Sequence, residues 1–133
     1  MSNIQEAKSI LTLNKTIIDK LIFERFSDDV CRIDIKEPIA FQHQINLIIE
    51  NVYKVSLGII LALESKYNIE IQISGIFELT NESILGQKLI TNNAIAILFP
   101  YLRSQLTLLT SQPGFEPVIL PIMNINTLLN SEH

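Results

Sequence analysis

The chain has 133 residues, 47% of them hydrophobic and 18% charged, with 10 Lys and Arg against 14 Asp and Glu and a formal net charge of −4. That length is one domain's worth, residues 1–133, and its apolar fraction is enough for a core, which excludes two independent domains and a disordered ground state. The acidic balance repels phosphate backbones, so nucleic acid is not expected as a partner.

Cys31 is the one cysteine, so no disulfide framework is expected and a reducing cytoplasm fits best. The start, Met1 to Lys15, lacks the basic opening and continuous apolar stretch of a signal peptide. The most apolar run, Val55 to Leu63, is far shorter than the roughly 20 residues of a membrane-spanning helix, so no direct membrane insertion is expected.

Up to residue 14, the spacing of Ile4, Ala7, Ile10 and Leu11 is helical, with Ser2 or Asn3 as its cap. From Lys15 to Phe26 the β-branched and aromatic residues Ile17, Ile18, Ile22, Phe23 and Phe26 predict a first strand. Ser27 to Pro38 mixes charges with isolated Val30, Ile33 and Ile35 and ends in a proline, which predicts a long connecting loop.

Three strands with a period of two follow, each offering one apolar face. Ile39 to Ile49 alternates Ile39, Phe41, His43, Ile45, Leu47 and Ile49 with Gln42, Gln44 and Asn46. Val52 to Glu64 sets Tyr53, Val55, Leu57, Ile59, Leu61 and Leu63 against Lys54, Ser56 and Gly58. Ile69 to Leu79 sets Ile69, Ile71, Ile73, Gly75, Phe77 and Leu79 against Glu70, Gln72, Ser74 and Glu78. The polar turns Glu50-Asn51 and Ser65 to Asn68 are short, so the three strands should be sequential antiparallel neighbours.

After Thr80 the period changes. Asn93 can cap an amphipathic helix in which Ile95, Leu98, Phe99, Leu102, Leu106 and Leu109 recur at three and four, interrupted at Pro100 and stopped by Pro113-Gly114. Leu98, Leu102, Leu106 and Leu109 form one core stripe, while Ile97, Tyr101 and Leu108 widen the apolar surface toward a second contact such as a subunit interface. Phe115 to Met123, with Pro117 and Pro121, should be extended and irregular, and Asn124 caps a short last helix through Leu129.

The inventory for catalysis is thin. His43 lies on an apolar strand face, His133 is the last residue, and one Cys with one His cannot make a four-ligand zinc site. Negative neighbours Asp28, Asp29 and Asp34 make Cys31 a sluggish nucleophile. Glu70 and Glu78, eight residues apart on one polar face, cannot share a proton and read as a solvated sheet face. The glycines Gly58, Gly75, Gly86 and Gly114 form no phosphate loop. No enzyme, cofactor or metal is therefore expected.

Four motifs in order carry a resemblance. Gly75-Ile76-Phe77 closes a strand, Ile97-Leu98-Phe99-Pro100-Tyr101-Leu102-Arg103 opens a helix around its proline, and Gly114-Phe115-Glu116-Pro117 and Pro121-Ile122-Met123-Asn124-Ile125 follow. Together with Phe23-Glu24 upstream, they resemble the SecB family of bacterial protein-export chaperones. The resemblance implies an α+β fold: a four-stranded antiparallel sheet with a long amphipathic helix and a short C-terminal helix, assembled as a tetramer, a dimer of dimers. It implies an ATP-independent holdase in the cytoplasm that keeps unfolded precursors export-competent.

The family's client groove, between loop, sheet and last helix, implies Val30, Ile33, Ile35, Phe115, Ile125 and Leu129 here, with aliphatic side chains at Ile125 and Leu129 where classical members carry aromatics. Its docking surface for the SecA motor implies Glu24 and Glu70, but Lys20 stands where aspartate is usual, which weakens the electrostatic case. A solitary or toxin-antitoxin-associated SecB-like chaperone is thus the alternative. From the residues alone, a carrier of small apolar ligands, with a pocket between sheet and helix, is the reading of another class.

Overall fold

The computed structural model describes residues 10–29, 32–33, 40–80 and 87–124. Four strands, β1 (Ile10–Arg25), β2 (Phe41–Ile49), β3 (Val52–Leu63) and β4 (Tyr67–Thr80), form one antiparallel sheet in the order β1-β4-β3-β2. One helix, α1 (Gln87–Thr110), lies across one face of that sheet. This is the expected α+β architecture.

Side-chain alternation decides which face is covered. Val55, Leu57 and Ile59 of β3 and Ile69, Ile71, Ile73 and Phe77 of β4 are buried toward the helix, together with Phe41 of β2. From α1 the stripe Ala94, Ile95, Leu98, Phe99, Leu102 and Leu106 meets them at helical spacing, and the Phe41 and Phe99 rings pack edge to face at 6.2 Å. The opposite face is open and polar, yet it hides a buried serine pair directly across strands, Ser56 Oγ and Ser74 Oγ at 2.9 Å. Ser74 donates in turn to Asp19 Oδ2 of β1, so this buried pair is anchored to a surface carboxylate.

The turns follow local chemistry. Asn51 (φ 62°) closes the β2–β3 hairpin and Ser65 (φ 71°) the β3–β4 hairpin. After α1, Gln112-Pro113-Gly114-Phe115 makes a turn closed by Phe115 N–H donating to Gln112 O at 3.1 Å, with proline presetting φ and Gly114 at φ 76°.

Several boundaries differ from expectation. The helix expected up to residue 14 is not formed at Ile10–Asn14, which belong to β1: Leu11 and Leu13 lie opposite Leu79 and Phe77, and partners across a ladder outweigh the weak helical spacing of a short segment. The earlier part of that segment is outside the described residues. Asn93 is not a cap but sits inside α1, which begins at Gln87 because Ile90 extends the buried stripe by a turn. Pro100 lies within the helix on its exposed side. Tyr67 and Asn68, expected in a turn, start β4, paired with Leu63 and Ala62. The expected loop shows no strand or helix at 26–29 and 32–33, and the short helix expected from Asn124 through Leu129 falls, beyond Asn124, outside the described residues.

Candidate functional site

The end of the sheet where β4 begins gathers three aromatic residues. Phe115, just past the turn, packs edge to face on Phe23 of β1 (5.1 Å, 75°) and on Tyr67 of β4 (5.8 Å, 85°). Such pairs contribute about 0.5–1.5 kcal/mol each beyond the area they bury. Phe115 is buried in this contact and Ile33 is half-buried against the same core.

Arg25 organises the seam beside them. Its Nε donates to Ser27 O at 2.6 Å, its Nη1 to Gly114 O at 2.9 Å and Pro113 O at 3.4 Å, and its Nη2 to Asp29 O. One guanidinium fork thus ties the start of the loop to the turn after α1. A Cβ at Gly114 would lie 2.4 Å from Arg25 Nη1, so the turn needs glycine for φ and for space. Further along, Arg32 pairs with Glu116 at 3.7 Å, one residue away from Ile33 on one side and from Phe115 on the other. Around this seam Phe26 (58% exposed) and Leu63 (48% exposed) present apolar surface.

The segment after the turn is lashed along α1. Thr107 Oγ1 donates to Val118 O at 2.8 Å, Val118 N–H donates to Thr110 Oγ1 at 2.8 Å, and Arg103 Nε donates to Leu120 O at 2.5 Å. These bonds replace a sheet partner for an irregular stretch whose prolines forbid one, and they sink Val118 and Leu120 while leaving Ile119 and Ile122 outside.

Of the six expected client-groove residues, the structure brings Phe115 and Ile33 to one apolar cluster; Val30, Ile35, Ile125 and Leu129 lie outside the described residues. Phe23, Tyr67 and Arg25 are part of the same seam, and no local spacing in the sequence brings them together, because their meeting depends on register. The only hint was Phe23-Glu24 among the family motifs.

Glu24, Glu70 and Lys20 do come together, on the open face at the β1–β4 ladder. Lys20 Nζ lies 3.3 Å from Glu70 Oε1, and Glu24 Oε1 accepts from Asn68 Nδ2 at 3.3 Å. The acidic patch is thereby neutralised at one of its two carboxylates. Among the described residues no cluster of His, Cys, Asp and Glu could hold a metal, and no helix is long and apolar enough to cross a membrane.

Comparison with known proteins agrees with this geometry. A family model, SecB, the preprotein translocase subunit, matches residues 5–133. The chain is 29% identical to the protein-export protein SecB of Rickettsia typhi over 99% of this chain and 95% of that one. It is also 33% identical to an uncharacterized protein of Methanocaldococcus jannaschii, over 47% of this chain and only 41% of that protein's length. Among solved structures it is similar to a Mycobacterium tuberculosis SecB-like chaperone in complex with a ChAD peptide from the HigA1 antitoxin (TM-score 0.63, 12% identity, 86% of this chain and 90% of that one). A protein of unknown function from Streptococcus agalactiae shares the fold as well (TM-score 0.55, 12% identity, 87% of this chain and 100% of that one).

Proposed function

The chain belongs to the SecB family, and from that premise we propose that it is an ATP-independent holdase that binds unfolded or non-native polypeptides in the cytoplasm. The observation that carries the reading is the seam of Phe23, Tyr67 and Phe115. It is an aromatic floor fixed by Arg25, flanked by a partly buried Ile33 and by exposed Phe26 and Leu63. Apolar residues on irregular segments beside a rigid sheet are where core packing explains exposure least and where a client's side chains can enter. Val30, Ile35, Ile125 and Leu129 complete the groove in this proposal.

The outer side of α1 supports a homo-oligomer, most simply the family's tetramer. Leu89, Tyr101 and Leu108 are exposed there, and the helix carries only Lys88 and Arg103 as charges. Several grooves on one oligomer then hold one long client by avidity, which exceeds single-site affinity by about 10² to 10⁴ and needs no nucleotide.

A role with SecA rests on Glu24 and Glu70, and the Lys20–Glu70 ion pair counts against it. The similar M. tuberculosis protein, a SecB-like chaperone in complex with an antitoxin peptide, favours the second reading: a solitary or toxin-antitoxin-linked chaperone. Charged substitutions at Ile125 and Leu129 test the groove. They should abolish protection of an aggregating client while the oligomer's mass stays constant, because an apolar pocket does not desolvate a charge cheaply. Full protection by the double variant would exclude this groove.

A further inference from the structure

Phe115 is placed from both sides. In the β1–β4 ladder Arg25 lies opposite Tyr67 and Phe23 opposite the buried Ile69, with no register shift between Lys20 and Arg25, so Phe23 and Arg25 share the helix-side face of β1. Phe115 rests its ring on Phe23 and Tyr67, and the residue before it, Gly114, gives its carbonyl to Arg25. The guanidinium therefore acts one residue away from the ring it locates.

All four acceptors of Arg25 are main-chain carbonyls: Ser27 and Asp29 in the segment leaving β1, Pro113 and Gly114 in the turn leaving α1. Both segments are irregular, and their other bonds are mostly local. Phe115 N–H donates to Gln112 O, Phe26 N–H to Lys66 O and Asp29 N–H to Ser27 Oγ. The second tie between the two segments, Arg32 with Glu116, spans 3.7 Å between side chains 79% and 56% exposed, and such a pair is screened by salt and adds little order. The four carbonyls belong to exposed or half-exposed residues, so water can replace the guanidinium at each of them with little loss of folding free energy. What the clamp supplies is order.

Resting on the holdase reading, we infer that Arg25 is a positioning residue for client capture: without touching the client, it holds the loop start and the turn in one arrangement, so that the floor of Phe23, Tyr67 and Phe115 is formed before a client arrives. A preformed floor spares the complex that ordering cost. Fixing the backbone of a single residue shifts a population by about tenfold, so freeing Gly114 and Phe115 leaves about a tenth or less of the molecules with the floor in place. Apparent affinity falls by the same fraction, and the loss appears in the association rate, because a client once bound meets the same surface. A side chain that contacted the client would act on dissociation instead. The fork matters more than the charge. A guanidinium presents five N–H donors in a fixed plane, whereas a lysine ammonium has three on a flexible stem and does not span four carbonyls in two segments.

The test uses the full chain and a fluorescein-labelled peptide with phenylalanines spaced among serines and glycines, mixed in a stopped flow and read by anisotropy. Arg25→Met should lower the association rate about tenfold and leave the dissociation rate within about twofold. Arg25→Lys should stay within about threefold of Arg25→Met, since charge alone does not restore the clamp. Ser74→Ala, which weakens the sheet on its other face, should associate at the wild-type rate, which separates positioning from a general loss of stability.

Hydrogen exchange in the free proteins reads the clamp without a client. Exchange at Phe115 N–H should quicken about tenfold in Arg25→Met, while exchange at Leu102, in the middle of α1, should not change. Association at the wild-type rate in either Arg25 variant, a loss carried by faster dissociation, slowed association in Ser74→Ala, or unchanged exchange at Phe115 overturns the inference. If Arg25→Met does not fold, Arg25→Lys carries the same comparisons. A wild type that binds no peptide and protects no aggregating client removes the holdase reading and the capture role with it, and the exchange at Phe115 then still decides whether Arg25 sets the floor.

Discussion

Gly75 sits where three elements converge on the core, and a single methyl group there is a sharp probe of the packing. A Cβ at this position would lie 2.6 Å from Phe77 Cε1 of the same strand, 2.9 Å from Leu13 Cδ1 of β1 and 3.0 Å from Leu98 Cδ2 of α1. Phe77 and Leu98 are fully buried and have nowhere to retreat. Gly75→Ala should therefore cost about 1–3 kcal/mol as overpacking, although the same change in an open strand would be neutral or favourable. Phe77→Ala should cost about 3–5 kcal/mol through lost burial and the cavity it leaves. In the double variant the new methyl occupies part of that cavity and loses its worst contact. The two costs should then fall short of their sum by about 1 kcal/mol or more, the signature of neighbours that share a space. Urea unfolding followed by far-UV circular dichroism, at one fixed protomer concentration because assembly contributes to stability, measures all four forms. Additivity to within about 0.5 kcal/mol, or a neutral Gly75→Ala, would refute the helix placement over β4.

Other expectations follow from the seam and the open face. Gly114→Ala should destabilise by about 1–3 kcal/mol, since φ 76° strains any other residue and Arg25 must give way; a thermal scan against Arg25→Met separates the two effects. Ser74→Ala should cost about 1–3 kcal/mol in urea, because it removes the donor to Asp19 and the partner of buried Ser56. Lys20→Ala should change stability by less than about 1 kcal/mol, the exposed Lys20–Glu70 pair being screened, while Lys20→Asp should speed association with SecA if that motor is a partner; stopped-flow mixing at low and high salt reads the rate.

Much of the sheet was legible because a period of two and short polar turns specify register almost by themselves. Val55, Leu57 and Ile59 face the helix as their alternation requires. The same pattern misleads at the sheet's margins. Leu47 and Leu63 keep the apolar face of their strands yet are exposed, so alternation marks a side of the sheet and not whether anything covers it, and the register shift after Leu47 sets Ile49 opposite Val52 and off that face. The start of β1 has the spacing of a helix and the structure of a strand, because a strand's stability comes from its partners, and Leu79 and Phe77 are more than 60 residues away in sequence. For the groove, the motif Gly114-Phe115 pointed to the right turn. That Phe115 meets Phe23 and Tyr67, and that Arg25 grips the turn, are tertiary facts that no local spacing encodes.

The most direct test of the central claim is to dilute a chemically unfolded client into nucleotide-free buffer and follow its aggregation by light scattering, with rising amounts of this protein. Scattering should fall with the molar ratio and saturate near stoichiometry, without ATP, and the client should be recovered bound to the intact oligomer. Scattering that stays unchanged at large molar excess, with the protein folded and assembled throughout, would contradict it.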